Sequence, residues 1–169
     1  MSLWRVVLAA MAVVLTASCA CEQEPPAPES ASDVDARLQG LIDISGLPDP
    51  FSSPLPPVAD GSSRDWLSND GGAAVDVVAV ARSLWVGGAS ECARVGSDLD
   101  ALGDVEEFIG VAARTPDEPT GEMLVNLRQV TAAAVRDCAD PVAFEPLVAE
   151  VAWYWAVADR RLRELGVET

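Results

Sequence analysis

The side chains able to do chemistry in this chain are few in kind. Histidine and lysine do not occur, and all 11 basic residues are arginine. That removes Ser-His-Asp and Cys-His nucleophiles, Schiff-base lysines and the phosphate-loop lysine. Carboxylates, Arg, Ser, Thr, Cys and a single Tyr remain. The densest acidic group is Asp98, Asp100, Asp104, Glu106 and Glu107. Paired carboxylates can hydrolyse glycosides or hold Ca²⁺, but Asp98-x-Asp100 lacks the further ligands and the glycine position of an EF-hand loop. A solvated helix face accounts for these charges, so no catalytic residue, no metal site and no cofactor is expected. The aromatic triplet Trp153-Tyr154-Trp155 is the other notable feature. Consecutive helical residues point about 100° apart, so the three rings cannot all enter one core. Trp153 and Tyr154 are therefore the candidate binding surface, against the plainer reading that their helix touches two neighbours.

The net charge of −16 sets the sign of the field around these groups. Affinity for phosphate backbones comes from Lys and Arg, so nucleic-acid binding is excluded as a function class. An acidic surface suits solubility, cations or basic partners.

The elements that must position these residues begin with a leader. Arg5 precedes an apolar run from Val6 to Leu15, and the small residues Thr16, Ala17 and Ser18 lead into Cys19. That is the layout of a secretory signal peptide, too short for a span of about 20 helical residues. The order Leu15-Thr16-Ala17-Ser18-Cys19 resembles the lipobox of bacterial lipoproteins, with Leu15 one place farther from the cysteine than usual and Thr16 in the position it normally fills. The resemblance covers the leader only. It implies that Cys19 receives a diacylglyceryl group with palmitate-type acyl chains and becomes the N-terminus. Cys21 is a second acceptor, and ordinary cleavage after Ala20 is the competing route. The implied localisation is the extracytoplasmic side of the cell membrane, with the membrane as first partner and an envelope protein as a second.

The rest divides into a proline-rich spacer over 19–60 and a helical domain over 61–169, after the signal peptide at 1–18. Prolines 25, 26 and 28 and prolines 48, 50, 54, 56 and 57 favour extended, semi-rigid chain. Between them, a Ser32–Asp35 capping box and the stripe Val34, Leu38, Leu41 and Ile42 predict a short helix over 33–44. It either docks on the domain or lies against something else. Beyond Ala73 the apolar spacing is helical throughout. Val77, Ala81, Leu84 and Trp85 line a first helix that Gly87-Gly88 stops. Cys92, Val95, Leu99, Leu102, Val105, Ile109 and Ala112 line a second, which Gly96, Gly103 and Gly110 can break in two. Pro116 and Pro119 close it, and a third opens at Thr120 with Leu124, Leu127, Thr131, Ala134 and Cys138 on one line. The last, N-capped by Asp140 with Pro141 at its first position, carries Phe144, Val148, Val151, Trp155, Ala158, Leu162 and Leu165. The fold class is all-α, an up-down bundle of about four helices after the stalk.

An exported protein meets an oxidising compartment, so Cys92 and Cys138 predict a disulfide, with two buried free thiols as the alternative. Folding the second and third helices back on each other about Asp117 leaves a mismatch of only about 6 Å between the arms. Three functions follow in order. The first is a non-enzymatic binding or scaffold module of the cell envelope; the others are a small-ligand carrier with an apolar pocket between helices and, last, a carboxylate hydrolase. A closed core with an exposed patch favours the module, an apolar cavity the carrier, and a concave group of carboxylates with raised pKa the hydrolase.

Overall fold

The computed structural model describes residues 30–52, 54–55, 62–69 and 71–167. The leader, Cys19 and Cys21 lie outside them. Among the described residues there are seven α-helices, no strand and one short 3₁₀ turn at Gly88–Glu91. The helices are α1 (Ala31–Ser45), α2 (Ser62–Asn69), α3 (Gly72–Gly87), α4 (Cys92–Ala101), α5 (Val105–Ala112), α6 (Glu118–Arg136) and α7 (Pro141–Glu164). The chain is all-α, a helical bundle. No described helix is long and apolar enough to cross a membrane.

Capping decides where the helices begin. Ser30, not Ser32, caps α1: its hydroxyl accepts from the Asp33 amide while Asp33 accepts from the Ser30 amide. Both pairs satisfy the same S-x-x-D spacing, and the earlier one adds helix and leaves Ser32 to hydrogen-bond Ser30. Gly46, in the left-handed region at φ 68°, ends α1. The helix docks on the bundle, packing on α7 and α3. Ile42 is buried there, Val34, Leu38 and Leu41 are half-buried, and Arg37 Nε donates to the Trp85 carbonyl near the end of α3 at 3.0 Å. A cation is favoured there by the negative helix terminus.

α3 is apolar around most of its circumference and touches each of the other helices, so it forms the centre of the bundle. Ala74, Val77, Val78, Ala81, Leu84 and Trp85 are buried, whereas Asp76 and Arg82 are exposed as the periodicity requires. The second predicted helix does break at a glycine. Gly103 adopts φ 87°, and Asp104 then caps α5 by accepting from the Glu107 amide at 2.7 Å. Crossing that break resets the register. Cys92, Val95 and Leu99 are buried as predicted, and so is Ala112, but beyond the break Phe108 turns inward while Val105 and Ile109 face out.

α6 starts two residues before the predicted Thr120, because Pro119 sits in its first turn instead of closing the previous helix. Leu124, Leu127, Thr131 and Ala134 lie in the core. α7 follows its predicted seam closely: every residue from Phe144 to Leu165 named above is buried, and Asp140 caps it by accepting from the Val142 amide. Asp117 at the start of α6 meets Arg161 near the end of α7, so the two long helices run antiparallel. Cys92 at the start of α4 meets Cys138 just past the end of α6, so α4 and α6 do too.

Candidate functional site

The cysteines are brought together as the hairpin argument requires. Cys92 and Cys138 form a disulfide with their Cα atoms 6.5 Å apart. The acidic group is not gathered into a site. Asp104 is a helix cap, Asp98 pairs with Arg94 at 2.8 Å beside the Glu91 pair, and Asp100 and Glu106 are exposed. Among the described residues no group of three or more Cys, Asp or Glu side chains stands close enough to hold a metal ion.

One buried polar node escaped the sequence reading. Asp117, read there only as the turning point between helices, is buried with Thr120 and Arg161. Arg161 Nη2 donates to Asp117 Oδ2 at 2.7 Å and Nε donates to Thr120 Oγ1 at 3.2 Å, while Thr120 donates its own proton to Asp117. Burial pushes the Asp117 carboxyl up, but the hydrogen bonds from Thr120 and Arg161 and the Arg161 charge together hold it below its ordinary value. Asp33 also lies below the ordinary value, through its hydrogen bonds from Ser30. A general acid needs the opposite direction. Arg128 is a second buried cation: Nη2 donates to the Gly103 carbonyl at 2.6 Å and the guanidinium lies 5.1 Å from the Phe108 ring centroid. It fastens the α4–α5 break at the carbonyl end of α4.

The aromatic triplet divides as helix geometry demands. Trp155 is buried against Trp85 with ring centroids 5.0 Å apart, and neither indole N–H has a partner among the described residues. Trp153 and Tyr154 are half-buried and edge to face at 5.0 Å. Trp153 Nε1 donates to the Pro48 carbonyl, so its polar edge is engaged by the segment that folds back from α1 along α7.

Clefts indent the surface of the described residues, three of them large. Two flank the first turns of α1, with volumes of 680 and 480 Å³, and share Asp35, Leu38, Trp155, Asp159 and Arg163. Their charged groups are largely satisfied within the chain. Arg163 pairs with Asp159 at 2.8 Å, and Arg160 pairs with Glu164 at 3.5 Å and donates to the Pro50 carbonyl at 3.0 Å. They read as the seam along which α1 is seated. The third, 620 Å³, runs between α5 and α6 and is different in kind. Ile109, Ala112, Ala113, Gly121 and Val125 give it apolar walls, and Glu118 and Glu122 line it without an ion pair among the described residues. Gly121 allows the close approach: a Cβ there would lie 2.6 Å from the Ala112 carbonyl oxygen. Comparison with known protein families, curated proteins and solved structures finds no match to this chain.

Proposed function

We propose that this protein is a bacterial envelope lipoprotein, acylated at Cys19 and displayed on the outer side of the cell membrane, whose helical bundle is a non-enzymatic binding or scaffold module. The observation that carries the reading is a contrast. Large apolar side chains cluster in the interior, while the α5–α6 face leaves apolar groups, and carboxylates without an ion pair among the described residues, open to solvent. The clefts described above are open to the surface, which favours a module over a carrier, since a carrier needs an enclosed apolar cavity. The dispersal of the candidate carboxylates, with Asp104 spent as a helix cap and Asp98 paired with Arg94, favours it over a hydrolase, which needs two carboxyl groups facing one another across a cleft. Export is supported by the Cys92–Cys138 bridge, since disulfides persist in oxidising compartments and are rare in the cytosol.

The test is capture from cross-linked cells. The wild-type protein is expected to retain a defined envelope partner and the Cys19→Ser form to lose both membrane association and that partner. Mass spectrometry of the mature N-terminus should find acylated Cys19 and unmodified Cys21. An intact leader on a cytosolic protein with reduced thiols would defeat the proposal.

A further inference from the structure

α5 is amphipathic twice over. Its inner face spends Phe108 and Ala112 on the core, while Val105 and Ile109, one turn apart, are 45% and 39% exposed on the outer face. The helix is only eight residues long, so this outer face is a large share of it. Next to it, Gly121 and the alanines keep the groove floor free of bulk. Glu118 and Glu122 stand four residues apart on α6, a like-charged spacing that repels when unrelieved. Exposed Glu106 lies three residues before Ile109, on the same side of α5.

Apolar walls with an acidic rim define the occupant by charge. A second copy of the chain would bring the same carboxylates face to face, on a protein of net charge −16. Anionic lipid is repelled for the same reason. A basic helix is attracted and can lay an apolar stripe into the groove. Resting on the module reading above, we infer that the α5–α6 groove docks a basic amphipathic helix of a partner protein, with its apolar stripe on Ile109, Ala113 and Val125 and its cations at Glu118 and Glu122.

The experiment uses the folded, disulfide-bonded protein and a fluorescent Leu/Lys amphipathic peptide, with a Leu/Glu peptide of the same apolar face as its counterpart, at about 0.15 M salt. The Leu/Lys peptide should bind saturably and the Leu/Glu peptide should not. Glu118→Gln/Glu122→Gln should weaken binding about tenfold or more, and Asp35→Asn/Asp43→Asn on α1 by no more than about twofold. Ile109→Asp adds negative charge yet should weaken binding about tenfold or more, whereas Val142→Asp, at a position 83% exposed, should leave it unchanged. Equal losses from the two double variants, undiminished binding by Ile109→Asp, or no binding of the Leu/Lys peptide would each overturn the assignment. In cells, a partner captured equally by wild type and Ile109→Asp sinks the groove alone. Peptide binding by a protein that is found in cells neither acylated nor exported sinks the envelope-lipoprotein reading alone.

Discussion

Breaking the Cys92–Cys138 bridge tests the link between the folded topology and the stability of the bundle. The two cysteines are 46 residues apart in the chain. For a closed loop of that length, the chain-entropy relation gives a loss of about 13 cal/mol/K in the unfolded ensemble, or about 4 kcal/mol at 25 °C. Domains of this kind have roughly 5–15 kcal/mol in total, so reduction removes a large fraction. Val95, Leu99 and Ala134 of the flanking helices are buried without the help of the sulfurs, so the native helices are expected to persist on reduction and the effect to fall on the unfolded state. The assay is urea unfolding followed by tryptophan fluorescence, comparing oxidised with reduced wild-type protein, which differ by no heavy atom. With m of about 2 kcal/mol/M, the midpoint should fall by about 2 M, and m should rise because the uncrosslinked chain exposes more surface. Cys92→Ala/Cys138→Ala should fall further by about 1 kcal/mol, since Cys92 is buried and its sulfur leaves a small void. A difference between oxidised and reduced protein below about 1 kcal/mol would refute the reasoning, showing that the reduced unfolded chain already holds these segments together.

Three further outcomes are expected. Asp117→Asn removes the nearest counter-charge of buried Arg161, which keeps Glu164 at 3.6 Å, and should cost about 2–3 kcal/mol by denaturant unfolding. Because the folded carboxyl is lowered, its contribution is present above the unfolded pKa near 3.9 and is lost as pH falls through the folded value; the wild type should therefore lose stability below about pH 4 through this group, and the Asn variant should lack that component. Gly121→Ala should destabilise by about 1–3 kcal/mol despite the better helix propensity of alanine, because its Cβ meets the Ala112 carbonyl, whereas Gly40→Ala, with open space around it, should stabilise by about 0.5–1 kcal/mol; thermal melts of the two variants decide this. In acrylamide quenching of the native protein, Trp85 and Trp155 should be shielded and Trp66 and Trp153 quenched, as single-tryptophan variants will resolve.

Much of the architecture was legible because helical periodicity is a local property. The α7 seam from Phe144 to Leu165 and the α3 stripe of Val77, Ala81, Leu84 and Trp85 repeat at the spacing of one helix face, and burial follows wherever a neighbour exists. The cysteine pairing was legible for a related reason: each cysteine sits near an end of a predicted helix, and helix length fixes where the ends meet. The Asp140 cap and the break at Gly103 also act within a few residues of themselves.

What depended on distant partners was not legible. The stripe through Val105 and Ile109 continues that of α4, but rotation at Gly103 substitutes Phe108 as the core residue, and only the placement of α6 decides which face is inside. The Asp117–Thr120–Arg161 node joins residues 41 and 44 positions apart in sequence, and no periodicity links a helix start to the end of the next helix. Arg128 lies on a helix whose surroundings alone make it an internal clamp for Gly103. The sequence by itself determined the longer helices, their order and the Asp140 cap, since these follow from backbone geometry over one or two turns, but it showed neither α2 nor the Ser30 cap of α1. Tertiary structure decided which apolar residues remain outside and which charges are enclosed, because both depend on how much surface each neighbouring helix covers.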